Sequence, residues 1–383
     1  MIPIPPTLRR ALARIGSACT DCGACQTRCA FLRHYGTPRT IARTYDFSRP
    51  AHQQLAFECS LCNLCNAVCP EGLAPGDLFL AIRRAAMTRA NGNLSRYRAI
   101  LTYERWGISP LFSYYALPKG GDTVFFPGCA LPGSRPAATW QLFDYLRQGI
   151  PDLGIVFDCC TKPSHDLGRQ THFETLFGEM RDYLVGHGIR RVLVACPSCH
   201  QMFSRYGGAL AVETVYEVLD NGRLPGDVRG HGELTIHDPC PLRGDRSSQD
   251  AVRSLVSRMG LAVVEMRHRR ERTLCCGEGG SVGFVRPQLA REWAELRQKE
   301  AGGRRLLTYC AGCAGILGRQ MPTLHLMDLI FFPQQALNGG APVTGGVRTY
   351  LNRLKLKGRA MQTMRPAVTR VRPLKQTLAA LKP

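Results

Sequence analysis

The cysteines constrain this chain more than any other feature. There are 18 of them in 383 residues, and they stand in tight groups instead of being spread along the sequence. An even count permits a disulfide framework. Such frameworks belong to oxidising compartments and to short chains that cannot build a core. This chain is long enough for two or three domains, and its first residues show no apolar stretch of the export type. No apolar run reaches the roughly 18 residues needed to cross a bilayer. Hydrophobic residues make up 44% and charged residues 21%, so wholesale disorder is excluded. The expectation is a cytoplasmic protein, at most peripheral at the inner face of the cytoplasmic membrane, whose thiols carry chemistry.

Two quartets open the sequence. Cys19, Cys22, Cys25 and Cys29 share one spacing, and Cys59, Cys62, Cys65 and Cys69, followed by Pro70, repeat it. This is the spacing of bacterial four-iron clusters. Three thiolates three residues apart on a tight loop reach three corners of a cube, and the fourth serves the other cube. One [4Fe-4S] cubane is therefore expected on Cys19, Cys22, Cys25 and Cys69, and a second on Cys59, Cys62, Cys65 and Cys29. Zinc sites pair Cys-x2-4-Cys units across a longer spacer, which these quartets do not do. Residues 30–58 between the quartets are expected to be partly helical. Residues 77–90 read as a helix capped by Asp77 and ended by Asn91-Gly92.

The other ten cysteines repeat. Cys129, Cys159-Cys160 and Cys196-x2-Cys199 recur as Cys240, Cys275-Cys276 and Cys310-x2-Cys313, at offsets of 111, 116 and 114 residues. Glu217 and Asp328 match in the flanks at an offset of 111. Most groups directly follow a short run rich in Val, Ile, Leu or Phe, and helical stretches lie between the runs, at 136–148, 171–186, 199–207, 249–259 and 287–301. Strands alternating with helices predict a parallel sheet in each half. The cysteines then lie at the carboxyl ends of strands, where open α/β sheets bind ligands.

This pattern resembles the cysteine-rich CCG domain, which occurs twice in heterodisulfide reductase catalytic subunits. With the quartets in front, the chain is similar to the D-type subunit of heterodisulfide reductase and to the iron–sulfur subunits of glycolate oxidase and anaerobic glycerol-3-phosphate dehydrogenase. The resemblance covers about residues 10–335. It implies a noncubane [4Fe-4S] cluster in each half, on Cys129, Cys159, Cys160, Cys196 and Cys199, then on Cys240, Cys275, Cys276, Cys310 and Cys313. The first half departs from the motif, since Thr161 stands where the second has Gly277. One or two such clusters are expected, with zinc as the alternative in one half.

The expected architecture is an α+β multidomain chain: a helical two-cluster ferredoxin-type domain, then two tandem α/β CCG repeats with parallel sheets. Its boundaries are 1–95 for the ferredoxin part, 96–121 for a linker, 122–225 and 226–338 for the repeats, and 339–383 for a Gly/Pro linker and basic tail. The function expected is an iron–sulfur oxidoreductase subunit that passes electrons from the cubanes to the CCG clusters, with reduction of a disulfide or similar acceptor. The alternatives are a relay from a flavoprotein 2-hydroxyacid or glycerol-3-phosphate dehydrogenase to quinone, and a zinc-binding interaction protein. Partners implied are a flavoprotein or other redox subunit and a membrane cytochrome or quinone.

His237, His200 and Glu278 are the candidates for proton donation beside the thiols. Gly277-Glu278-Gly279-Gly280 is not a dinucleotide fingerprint. It reads as flexible backbone wrapped around a metal, with N–H groups turned to sulfur. The net charge is +21, and residues 346–383 hold ten Lys/Arg and no Asp/Glu. That segment reads as an amphipathic helix on anionic lipid, a dock for an acidic partner, or a solvated tail. No nucleic-acid motif accompanies it, and no nucleic-acid partner is expected.

Overall fold

The computed structural model describes residues 4–88, 94–225, 232–341 and 343–373. Short helices build the first part: Pro6–Ala18, Ala30–Tyr35, Pro38–Thr44, Pro50–Leu55, Leu64–Ala67 and Pro75–Thr88. Proline opens four of them, where its fixed φ suits the first turn and its missing N–H costs nothing. The last helix begins two residues earlier than expected, so Asp77 lies in its first turn instead of capping it. The expected stop at Asn91-Gly92 lies outside the described residues. Leu8, Ile15, Phe31, Leu32, Phe79 and Ile82 form the core that these helices share.

Among the described residues ten strands follow: β1 (Tyr114–Leu117), β2 (Thr123–Phe126), β3 (Gly154–Phe157), β4 (Arg191–Val194), β5 (Ala211–Thr214), β6 (Glu233–His237), β7 (Ala262–Val263), β8 (Leu306–Thr308), β9 (Thr323–His325) and β10 (Val368–Arg370). They form two sheets, of order β10-β1-β3-β2-β4-β5 and β7-β6-β8-β9. The strands β3-β2-β4-β5 are mutually parallel, as are β7-β6-β8-β9. The two units thus have one topology, and the sequence repeat maps onto it strand for strand. Helices expected between the strands are present as Pro136–Gly149, Gln170–Gly186, Pro197–Tyr206, Arg246–Arg258 and Pro287–Ala301.

Two segments differ from expectation. The stretch read as a linker contributes the helix Arg98–Gly107 and β1, which pairs antiparallel with β3. The basic segment does not hang free in its described part. Its helix Arg348–Thr363 lies on the helix Ala130–Ser134, where Asn352 Nδ2 donates to Gly133 O at 2.8 Å. Its strand β10 closes the first sheet against β1. Arg372, fully buried, donates from Nε to Asp158 Oδ2 at 2.7 Å and from Nη1 to Glu179 at 2.7 Å. Of the segment's ten cations, Arg353, Arg359, Arg370 and Arg372 are drawn in by aromatic faces or carboxylates.

One hydrophobic core runs through both sheet units, joining Phe125, Phe143 and Leu193 to Ile236, Leu255 and Leu324. The matched acids of the repeat each reach across the junction. Asp328 accepts from Arg135 Nε at 2.6 Å in a buried pair, and Glu217 accepts from Ser248 Oγ at 3.2 Å. Among the described residues, no helix is long and apolar enough to cross a membrane.

Candidate metal centres

The two quartets lie on loops bent in the same way. Asp21 and Gly23 in the first, and Leu61 and Asn63 in the second, take positive φ at matching positions between the thiols. That left-handed bend turns successive thiols to one side, at a strain cost for the three non-glycine residues. Cys25 is surrounded by Cys19, Cys22 and Cys69, and these thiols share a small cavity with Cys65. Cys29 instead faces Cys59 and Cys62, and Cys65 faces Cys59, Cys62 and Cys29. The fourth thiol of each quartet therefore sits with the other quartet. Burial pushes the Cys25 and Cys62 thiols up to about 11 and Cys59 up to about 12. A thiol so desolvated ionises only when a cation replaces its proton, so metal uptake here releases protons.

Each sheet unit gathers its own five cysteines at strand ends. In the first, the free thiol of Cys129 faces Cys159, and that of Cys199 faces both Cys196 and Cys160. In the second, the free thiols stand in a row, Cys240 facing Cys275, Cys275 facing Cys276, Cys276 facing Cys313 and Cys313 facing Cys310. Hydrogen bonds from Cys240 and Cys276, with the N–H groups of Gly277 and Gly279, hold Cys275 well below the ordinary thiol range. Gly277 N lies 3.3 Å from its sulfur. The glycine-rich loop thus turns N–H groups to sulfur, with φ +103° at Gly277.

The four thiol sets stand in a connected order. Cys65 faces Cys25 across the two quartets. Cys62 faces Cys275, and Cys240 faces Cys62. The second unit faces the first through Tyr216, whose hydroxyl donates to Ala195 O at 2.8 Å and also to Tyr309 O. Those carbonyls directly precede Cys196 and Cys310. Only Cys22 of the eighteen is exposed, and the two CCG sets are more buried than the two quartet sets.

Three buried arginines serve this order. Arg83 donates to the carbonyls of Ala56, Phe57, Cys59, Asp166 and Gly280, at 2.6–3.2 Å, tying the second quartet to both sheet units. Arg243 donates twice to Cys62 O, at 3.0 and 3.1 Å. Arg353, from the basic segment, stacks on Tyr103 and Phe112 and faces Cys129 and Cys159.

Of the residues proposed as proton donors, Glu278 lies in the crevice between the units. It faces Cys275 and Lys162, and Cys196 faces it in turn. Its carboxylate oxygen is within 4.8 Å of the Cys310 and Cys313 sulfurs, in space that a Cβ on Gly312 would fill. Its side chain is solvent-accessible, yet protein surrounds it; that partial desolvation, with Cys275 beside it, raises its carboxyl above the ordinary range. His237 is fully buried against Cys276 and Cys313, and burial lowers its ring to about 3. His200 instead pairs with Asp245 at 3.3 Å, beside a helix start, which is a structural position.

Lys162 was not among the residues singled out from sequence. It bonds both Asp166 oxygens at 2.9 Å and faces Cys160 and Cys240, one thiol from each unit. Aligning the repeat at its offset of 116 finds it: Cys159-Cys160-Thr161-Lys162 matches Cys275-Cys276-Gly277-Glu278. Equivalent positions of the two units thus put opposite charges into one crevice.

Residues 18–74 match the 4Fe-4S dicluster domain, and residues 123–204 and 234–318 each match the Cysteine-rich domain called CCG. The chain is 27% identical over 77% of its length to the B-type subunit of fumarate reductase (CoM/CoB) from Methanothermobacter marburgensis, covering 66% of that protein. It is 24% identical over 63% of its length to the D-type subunit of dihydromethanophenazine:CoB–CoM heterodisulfide reductase from Methanosarcina mazei, again covering 66% of it. It is 22% identical over 44% of its length to the glycolate oxidase iron-sulfur subunit of Escherichia coli, covering 46% of that protein. The chain therefore spans just under two thirds of the first two relatives. Among solved structures, Picrophilus torridus aspartate racemase aligns over 60% of this chain and 99% of its own at 14% identity, with a TM-score of 0.25, which carries no argument about fold.

Proposed function

We propose that this chain, an iron–sulfur oxidoreductase subunit with one 4Fe-4S dicluster domain and two CCG domains, conducts electrons from the Cys22 edge to the crevice between its CCG units and there reduces a disulfide. The observation that carries this reading is the contact order itself: Cys25 to Cys65, Cys62 to Cys275, and the second unit to the first through Tyr216. In it, Cys19, Cys22, Cys25 and Cys69 hold one cubane, and Cys29, Cys59, Cys62 and Cys65 hold the other. Each CCG unit holds a further iron–sulfur group on its five thiolates. All-thiolate donor sets, packed with N–H groups turned to sulfur, suit iron–sulfur chemistry. When bound, these groups supply one electron at a time.

Cleaving a disulfide takes two electrons and two protons and yields two thiols. A crevice between two electron-carrying units suits that stoichiometry. Lys162 presents a cation to one departing thiolate or to an anionic substrate group, and Asp166 fixes its position. Glu278, at the equivalent place on the other unit, gives the crevice a polarity that orients an unsymmetrical substrate. The buried walls exclude water from the sulfurs. The donor in this reading is a flavoprotein or other redox protein that docks near Cys22.

The full chain, assembled with iron and sulfide without oxygen, tests it. About eight irons are expected from the cubanes, with more from the CCG units. The reduced protein should be reoxidised by a disulfide with release of two thiols, and Lys162→Met should slow that step while leaving cubane reduction unchanged. Reoxidation by a quinone analogue alone, with no thiol released, selects the relay from a flavoprotein dehydrogenase to quinone. A colourless, zinc-loaded product rejects both.

A further inference from the structure

We propose that His237 is a metal ligand of the second CCG unit, sharing one metal atom with Cys276 and Cys313, and that this makes the two units chemically unequal. The inference rests on the reading that the second unit holds an iron–sulfur group. Three observations carry it. The ring nitrogen of His237 and the sulfurs of Cys276 and Cys313 all lie within 4.8 Å of one another, and all three residues are buried. Among the described residues, neither ring nitrogen of His237 has a hydrogen-bond partner, although the residue is 0% exposed. A buried imidazole with both nitrogens unpaired is costly, and a bond to metal beside the two thiols would satisfy one of them. Third, the site is built by the strand itself. His237 is the last residue of β6, opposite Thr308 of β8, and Thr308 Oγ1 donates to its carbonyl at 3.1 Å.

The first unit supplies the contrast. Shifting by the 111 residues that separate Cys240 from Cys129 places Phe126 where His237 stands. Phe126 is also the last residue of its strand, paired with Val194, and it packs edge-on against Phe203. No nitrogen donor occupies that place. An imidazole is neutral where a thiolate is anionic, so with five thiolates in each unit the second gains a nitrogen donor without gaining charge. The second unit, which also lies next to Cys62, then differs from the first in the donor set around one metal atom. Nitrogen and sulfur donors together suit iron, as they suit zinc.

Pulsed EPR of the reduced full chain, with histidine nitrogen labelled as 15N, decides the matter. The signal of the second unit is identified as the one lost in Cys276→Ser. In the wild type that signal should carry the strong nitrogen coupling of a directly bound imidazole, which changes with the label and vanishes in His237→Phe. His237→Cys restores a donor, so it should retain the iron content and lose the coupling, with a lower midpoint potential in redox titration. Absence of strong coupling in the wild-type signal, or its persistence in His237→Phe or His237→Cys, overturns the proposal. Failure of the underlying reading looks different: iron and sulfide then stop at the cubane count and Cys276→Ser removes no signal.

Discussion

Thr161 sits in the left-handed region at φ +51°, at the place where the second unit has Gly277 at φ +103°. Both positions take positive φ, which glycine adopts freely and threonine only at a cost. A β-branched residue there costs of order 1–3 kcal/mol, and its hydroxyl is buried without a partner among the described residues. Glycine would remove both penalties and add about 0.5–1 kcal/mol of unfolded-state entropy. Thr161→Gly is therefore expected to stabilise the metal-free chain by about 1 kcal/mol, read as a rise in the denaturant midpoint. A smaller gain in the loaded protein would mean that the hydroxyl donates to a bound sulfur. Asp166 gives a pH dependence nearby. Burial pushes its carboxyl up, but Lys162 and His165 overcome this and hold it well below the ordinary range. A depressed carboxyl contributes stability above its unfolded value, near 3.9, and loses it as pH falls toward the folded value. The stability difference between wild type and Asp166→Asn should be fully present at pH 7 and shrink below about pH 4. A difference that stays constant with pH would show that the Lys162 pair contributes nothing through charge.

The basic helix Arg348–Thr363 joins an element to a redox role. It brings Arg353 to Cys129 and Cys159, where Gly107 leaves room for the guanidinium: a Cβ there would lie 3.3 Å from Arg353 Nη2 and 3.0 Å from Cys159 Cβ. A fixed cation beside a cluster stabilises the reduced, more negative state. Arg353→Met should therefore lower the potential of the first CCG unit and leave the cubane potentials in place, measured by redox titration of the EPR signals. An equal shift in all signals would point to a general structural change. This helix also marks the limit of what the sequence makes legible. Cysteine spacing exposed both quartets, the crossed fourth thiols and the repeated strand ends, because metal chemistry fixes spacing locally. The partners of β10 and Arg372 lie roughly 200 residues or more away, at β1, Asp158 and Glu179. No local pattern encodes such pairing, so a stretch of ten cations reads as a lipid-bound helix, a partner dock or a solvated tail and not as part of the fold. Lys162 was hidden for a different reason: a lone lysine carries no signal until the repeat is aligned at its side.

At the scale of the whole molecule, the order of thiol sets depends on how rigidly the first domain is held to the other two. Arg83 is the fastening. It is fully buried, stacks on Phe57 at 5.1 Å, and its guanidinium joins Ala56, Phe57 and Cys59 of the second quartet loop to Asp166 of one CCG unit and Gly280 of the other. Gly280 itself must be glycine, because a Cβ there would lie 2.5 Å from Cys59 O at a φ of +59°. Arg83→Met keeps the apolar stem and leaves these carbonyls unpaired, at about 1–3 kcal/mol for each that finds no water. Both quartets lie on loops that keep their own helices, so the cubanes should still assemble. What should be lost is the close approach of Cys62 to Cys275 and Cys240. The expected outcome is a variant whose cubanes reduce at the wild-type rate while reduction of the CCG groups slows at least tenfold, followed by rapid-freeze EPR. If both sets reduce as in the wild type, the interface holds without Arg83, and the buried guanidinium is a structural residue with no bearing on electron flow.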